Sequence, residues 1–348
     1  MAGGSGTRLW PLSRKSRPKQ LLRIIDGRSL IYSAYERLSS LLKPQDIYII
    51  TLAEHLPAIA EELPMLPPEN LIGEPMGRDT AAAIALSSAI LHHQDSDTLM
   101  GVFTADHVIR PVERFVDIVR RGYAAAAQHG DALITFGIKP TEPHTGLGYI
   151  RRGRPAGDGV FEVTAFKEKP DLPTAQQYVS SGEYYWNSGM FVWRTAAILD
   201  QLRLHLPATA KTATELAAAG SLTSDPAKSK YEALQKISID HAVMEKAAKV
   251  LTVEMDLDWL DVGNWTALPG VLGSDKSGNT AAAPQSLAVD SAGNIVVSED
   301  DHLVALIGAE NLVVVRSENA TLVCHRDHVQ KIKDLVARLE TDGKADYL

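Results

Sequence analysis

The chain carries one cysteine, Cys324, in 348 residues. No intramolecular disulfide can form, which fits a reducing cytosol, so a cytoplasmic location is expected. No apolar run approaches the roughly 20 residues that span a bilayer, and no signal peptide is visible, so no membrane partner is expected. Positive charge is not in excess: 35 Lys and Arg face 43 Asp and Glu, a net charge of −8. Nucleic-acid binding through a broad basic face is therefore not expected. Low-complexity tracts are absent. So is the Gly-Lys-Ser/Thr closure of a P-loop. A dinucleotide fingerprint also fails, because Leu9-Trp10-Pro11-Leu12 follows the N-terminal glycines and Pro11 opposes an early helix.

Apolar residues make up 45% and charged residues 22%, an ordinary globular balance. The length suggests two domains. The most informative stretch is the first: Gly3, Gly4 and Gly6 crowd one turn. Without Cβ atoms this backbone can take positive φ and approach a ligand, its N–H groups converging on phosphate oxygens. Arg8 and Lys19 add positive charge beside it, with Arg14, Lys15 and Arg17 between them. Arg suits forked phosphate contacts and Lys a point contact. The stretch predicts a polyphosphate site; the plainer alternative is a surface turn before a basic loop.

Apolar periodicity predicts helices over 29–42, 53–63, 80–93, 114–129, 173–182 and 196–220, and strands at 46–51, 71–72, 99–103, 132–138 and 250–255. Strand, helix, strand at this spacing means crossover units in a doubly wound, mostly parallel α/β sheet over residues 1–272, whose ligands collect at the strand ends. Residues 146–168 look like an antiparallel excursion, and residues 186–193 lead back into a strand. A Gly, Ser and Asn-rich linker over 273–284 precedes short strands at 286–289, 294–297, 303–307, 312–316 and 320–324, a small all-β unit. A helix over 328–340, with Val329, Ile332, Leu335, Val336 and Leu339 on one face, closes this second region, 285–348.

Gly-Gly-x-Gly-Thr-Arg-Leu-x-Pro-Leu-Ser-Arg followed by Pro18-Lys19-Gln20 resembles the signature of the sugar-1-phosphate nucleotidylyltransferases, in particular the mannose-1-phosphate guanylyltransferase group. The resemblance covers nearly the whole chain in six separated motifs. It implies a Rossmann-like nucleotidyltransferase domain with a left-handed β-helix-like C-terminal unit, and transfer of GMP from GTP to mannose 1-phosphate. Ala2, Gly3, Gly4, Gly6, Thr7 and Arg8 would hold the nucleotide, and Lys19 would bridge phosphates of both substrates. Thr104-Ala105-Asp106-His107 and Trp259-Leu260-Asp261-Val262-Gly263-Asn264-Trp265 match motifs that would make Asp106 and Asp261 ligands of Mg²⁺; capping and solvated turns are the plain uses of such aspartates. Phe166-Lys167-Glu168-Lys169-Pro170 and Trp186-Asn187-Ser188-Gly189 would supply Glu168 and Asn187 to sugar hydroxyls and Lys169 to the sugar phosphate. Gly148 would meet the mannose, and Asp261 would also touch substrate.

Alternation along a strand would put Lys167 and Lys169 on one face and Glu168 on the other. Guanine recognition would fall to the loop 73–80, through Glu74, Arg78, Asp79 and Thr80. The family's Asn stands as Asp79 here, and a helix-capping role for Asp79 or Thr80 is equally open.

Relatives of this kind also have a strand before Ala-Gly-Gly, where this chain has Met1; a chain starting there is expected to fold weakly and bind nucleotide poorly. They commonly form homodimers, and the bifunctional ones continue into an isomerase barrel, so no isomerase activity is expected. Cys324, His325 and His328 lack a fourth zinc ligand. Two alternatives stay open: a nucleotidylyltransferase for another sugar phosphate or base, and a non-catalytic regulator that binds GDP-mannose.

Overall fold

The computed structural model describes residues 1–348 apart from Ser5, Asp26, Ser221 and Thr223. Its strands are β1 (Ile49–Leu52), β2 (Leu71–Glu74), β3 (Leu99–Val102), β4 (His107–Arg110), β5 (Leu133–Ile138), β6 (Tyr149–Gly157), β7 (Val160–Lys167), β8 (Tyr184–Arg194), β9 (Val250–Met255) and β10 (Asp258–Asp261), followed by β11 (Thr280–Ala282), β12 (Gln285–Val289), β13 (Ile295–Ser298), β14 (Leu303–Ile307), β15 (Leu312–Arg316) and β16 (Thr321–His325). The α-helices are α1 (Leu30–Ser39), α2 (Leu56–Glu62), α3 (Asp79–Gln94), α4 (Val112–Gln128), α5 (Leu172–Ser181), α6 (Thr195–His205), α7 (Pro207–Ala219), α8 (Asp225–Glu232), α9 (Leu268–Leu272) and α10 (Ile332–Thr341).

The largest sheet has the order β3-β8-β5-β9-β7-β6. It is mixed rather than mostly parallel: β5 and β9 pair parallel, but β8 lies antiparallel between β3 and β5. The excursion through β6 and β7 is what returns β8 in the opposite direction. Helices cover both faces, as in a doubly wound fold. Trp193 of β8 packs with Ile84 of α3 and Leu202 of α6, whereas Val192 beside it packs with Phe115 and Val119 of α4. That is the two-residue alternation of a strand buried on both sides. The predicted long helix at 196–220 is two helices, because α6 ends at Leu206 and Pro207 opens α7.

Met1 and Ala2 lie between β1 and the chain after β3, bonded to each by a backbone hydrogen bond. Ala2 N–H donates to Ile50 O at 2.9 Å, and Ala105 N–H donates to Met1 O at 3.0 Å. A cavity of about 400 Å³, lined by Ile31, Ile47, Ile49, Met100 and Val102 among others, lies beside Met1.

The C-terminal unit is β-helix-like. β11, β13 and β15 stack in parallel, β12 and β14 form a second parallel pair, and β16 closes antiparallel on β15. Its coils begin inside the stretch read as a linker: the Asp275 carboxylate accepts from Ser277 and Asn279 N–H, and β11 follows. The last predicted helix opens as a 3₁₀ turn over Arg326–Lys331 before α10. Asn294 is fully buried between coils. It donates to Asn279 Oδ1 at 2.9 Å and Ala309 O at 2.8 Å, and accepts from Leu312 N–H at 2.9 Å.

This unit shares a core with the N-terminal loop. Leu9, Trp10 and Leu12 pack with Trp265, Val297, Val313 and Ile332. Arg14 donates to Ser317 and Asn319, Lys15 pairs with Glu340, and Arg17 pairs with Glu299. Three of the five basic residues near the glycine turn thus serve this interface.

Replacing Asn294 by Ala removes the partner of Leu312 N–H and one of the two donors to Ala309 O, which keeps Ala292 N–H. A loss of about 1 to 3 kcal/mol of stability is expected, read as a lowered melting temperature by circular dichroism.

Candidate active site

Asp106 ends the chain segment after β3, and Asp261 ends β10. They meet because β4 and β10 pair antiparallel with His107 opposite Asp261, extended by a 3.3 Å hydrogen bond from Val262 N–H to Asp106 O. Ligand atoms of Asp106, His107 and Asp261 lie within 4.8 Å of one another. The histidine is not an equal member. Trp259 Nε1–H donates to His107 Nδ1 at 3.2 Å; an indole N–H can only donate, so the ring proton sits on Nε2. That nitrogen stands 3.8 Å from Asp106 Oδ1. Burial lowers the His107 pKa despite the pull of Asp106 and Asp261, so the ring is neutral and supports Asp106.

Lys19 Nζ pairs with Asp106 Oδ2. Burial works against the ammonium, but Asp106 and then Asp261 outweigh it and hold the Lys19 pKa above its usual value. The same desolvation opposes the Asp106 carboxylate, yet the Lys19 ammonium brings its pKa down to about 2. Asp261 keeps Oδ1 buried and without a hydrogen-bond partner. An unpartnered carboxylate oxygen beside a second carboxylate is a donor set that fits a divalent cation with oxygen ligands.

The glycine turn lies against this cluster. Gly4 and Gly6 take φ of 96° and 61°, the left-handed region that only glycine enters freely. A Cβ on Gly6 would stand 2.5 Å from Lys19 Cβ, so the turn and the lysine are packed to contact. Gln20 pins the turn, its amide donating to Gly3 O at 2.7 Å. Arg8 is exposed and close enough for its charge to act on Lys19. Thr7 opens a short 3₁₀ turn.

A second group gathers Gly148, Glu168 and Asn187. Asn187 N–H donates to Gly148 O at 2.8 Å, and a Cβ on Gly148 would collide with Glu168 Oε2. Lys169 has φ 45°, so the strand ends at Lys167 and the predicted alternation stops. Lys169 pairs with Glu168 instead of joining Lys167 on one face.

The loop before α3 forms a third group. Asp79 has φ 64°, which Asn and Asp tolerate better than most residues, and its Oδ1 accepts Thr80 N–H at 2.7 Å. Thr80 Oγ1 accepts Ile239 N–H at 2.8 Å. Arg78 precedes the helix with Nε buried and unpartnered. Glu74 points inward: it is 5% exposed and accepts from Tyr231 Oη at 2.5 Å.

A nucleotidyl transferase model matches residues 1–276, and a MannoseP isomerase/GMP-like beta-helix domain model matches residues 285–339. This chain belongs to the nucleotidyl transferase family. The xanthan biosynthesis protein XanB of Xanthomonas campestris is 40% identical to it over 99% of this chain and 73% of that protein. A mannose-1-phosphate guanylyltransferase of Klebsiella pneumoniae is 39% identical over 100% of this chain and 74% of that protein. A crystal structure described as mannose-1-phosphate geranyltransferase from Thermus thermophilus superposes with a TM-score of 0.88 at 35% identity, covering 98% of both chains.

The sequence reading of this nucleotidyl transferase missed the tethers behind its three groups. Gln20 stood in the Pro18-Lys19-Gln20 motif without a role of its own, and Tyr231 and the segment around Ile239 carry no chemistry that a motif would flag. Trp265 is fully buried and donates to Trp10 O behind the N-terminal loop, and Trp259 is tied to His107, whereas Trp193 is core between β8 and helices α3 and α6.

Burial pushes the Glu74 pKa up to about 7, against the lowering effect of the Tyr231 hydrogen bond. Its folded pKa lies above its unfolded one, so stability falls as pH rises from the ordinary carboxylate range through about 7. The Glu74→Gln variant is expected to gain about 1 to 3 kcal/mol relative to wild type between pH 5 and pH 8, measured by urea unfolding at both pH values.

Proposed function

We propose that this enzyme transfers GMP from GTP to mannose 1-phosphate, giving GDP-mannose and pyrophosphate. The observation that carries the reading is Lys19 seated on Asp106 with Asp261 opposite, at the foot of a glycine turn. Support for the substrates comes from relatives named mannose-1-phosphate guanylyltransferase at 39% identity over the whole chain.

A phosphate oxygen of the sugar phosphate attacks the α-phosphorus of GTP in line. That P–O bond forms as the bond to pyrophosphate breaks. The attacker is already an anion, so no side chain need take a proton. The protein must bring two anions together and stabilise charge on the transferred group. Asp106 and Asp261 would hold Mg²⁺, which when bound offsets charge on the phosphoryl oxygens and the leaving group. Lys19 would bridge phosphates of both substrates, while Arg8 and the N–H groups of Gly3, Gly4, Gly6 and Thr7 would bind the triphosphate; Ala2 N–H is already held by Ile50 O. Glu168, Asn187 and the Gly148 backbone would bind sugar hydroxyls, and Lys169 would turn from Glu168 to the sugar phosphate. Arg78, Asp79, Thr80 and Glu74 would form the base side, Glu74 behind the loop rather than in its opening.

Pyrophosphate release from GTP plus mannose 1-phosphate with Mg²⁺ tests the reading, with UTP and dTTP as competitors. Asp106→Ala and Asp261→Ala are each expected to lower kcat by about a hundredfold or more. A fully active Asp106→Ala enzyme, or preference for another nucleotide, would overturn the assignment. Gly148→Ala should displace Glu168 and raise KM for mannose 1-phosphate about tenfold, leaving KM for GTP unchanged.

A further inference from the structure

Asp240 belongs to none of the groups assigned above, yet it touches one and neighbours another. It opens a π-turn over Asp240–Met244, an element that often marks functional sites. Its Oδ1 accepts from Asn187 Nδ2 at 2.9 Å. The other end of that amide is also held: Asn187 Oδ1 accepts from Thr135 Oγ1 at 3.0 Å and from Gly189 N–H at 3.3 Å. Gly189 takes φ 68° to place that donor.

Every feature of Asn187 that faces the protein therefore has a set partner. One N–H of its amide remains for a ligand. The residues just before Asp240 bond to the nucleotide side. Ile239 N–H donates to Thr80 Oγ1 at 2.8 Å, and Ala81 N–H donates to Ile237 O at 3.2 Å.

The charges facing Asp240 come from several elements. Glu168 and Lys169 lie across from it, and Glu245, one turn on, pairs with His241 and accepts Glu168 N–H. Burial and then Glu168 push its carboxyl up to about 6. A neutral amide should therefore be tolerated in its place where an alkyl group is not.

We propose that Asp240 is a positioning residue for the sugar half-site: it orients the Asn187 amide toward sugar hydroxyls, and it does so from a segment anchored to the head of the nucleotide-binding helix. This inference rests on the reading of Asn187 as a sugar contact.

The test is steady-state kinetics of Asp240→Ala and Asp240→Asn beside Asn187→Ala, each with the sugar 1-phosphate that wild type turns over fastest. An error in the choice of mannose then falls on the function above and not on this inference. Asp240→Ala should raise KM for the sugar phosphate about tenfold, with KM for the nucleotide changed less than about twofold. Asp240→Asn, which keeps an oxygen acceptor for Asn187, should restore KM to within about threefold of wild type. A double variant with Asn187→Ala should show little further loss, because the aspartate acts through that amide. Equal rises in both KM values, full additivity with Asn187→Ala, or no rescue by Asp240→Asn would each overturn the proposal. Melting temperatures of all variants separate a folding defect from a kinetic one: a KM split in a variant that melts like wild type supports positioning, and unsplit losses that track melting temperature overturn it.

Discussion

The site depends on one short pairing, β4 against β10. It sets His107 opposite Asp261 and so brings two carboxylates from distant parts of the chain to one place. Left alone, two such groups would raise each other's pKa, and one would take a proton. Here Lys19 sits on Asp106, and the Asp106 carboxyl is held down to about 2 instead. The ammonium keeps that aspartate ionised, while Asp261 Oδ1 stays free of any hydrogen bond. A carboxylate that is ionised and one that is unpartnered make a receptor for positive charge. The glycine turn follows from the same lysine, since Gly6 packs against its side chain and Gln20 ties Gly3 to the same strand-less loop.

That loop is also the bond between the two units of the fold. Trp10 and Leu12 are buried with residues of the C-terminal coils, and Trp10 Nε1–H donates to Tyr347 O at 2.6 Å. Arg14 reaches Ser317 and Asn319 while Lys19, further along the same loop, faces Asp106. One loop thus presents one end to Asp106 and the other to the β-helix-like unit. Packing of this apolar kind fixes geometry more firmly than the exposed ion pairs of Lys15 and Arg17 can, because such pairs contribute little on a solvated surface.

Much of this was legible in the sequence, and the exceptions share a cause. Ser29 capping α1, the strand Val250–Met255 and the short strands of the C-terminal unit follow from local pattern. The glycine turn and both aspartates follow from motif. The β4/β10 pairing does not, because each strand has four residues and even the hydrogen-bonded side chains His107 and Trp259 upon them are 152 residues apart. Periodicity needs length, and nothing in either stretch names the other. The antiparallel insertion of β8 was hidden for a related reason: a fully buried strand looks the same in either direction. The basic residues Arg14, Lys15 and Arg17 misled because charge alone does not say which surface a side chain will meet. Lys169 misled because strand alternation assumes a strand, and its positive φ ends one.

Two of the three groups of the site, the loop before α3 and the Gly148, Glu168 and Asn187 group, are physically continuous. Helix α3 begins with unpaired N–H groups, as every helix does. Its second and third residues meet the segment 237–239, Thr80 receiving Ile239 N–H and Ala81 giving its own to Ile237 O. The next residue, Asp240, holds Asn187, whose backbone bonds Gly148 beside Glu168. A left-handed residue stands on either side of this chain of contacts, Asp79 at the head of α3 and Lys169 beside Glu168. Non-glycine residues keep such conformations only where surrounding bonds over-determine them. At Asp79 the tethers beside it supply such bonds, and one connected set of hydrogen bonds joins the head of α3 to the Gly148, Glu168 and Asn187 group. On the proposed reading, two anions must meet in line at Asp106 and Asp261, and shared support of this kind serves that need, because an error in either half would displace the attacking oxygen from the phosphorus it must reach.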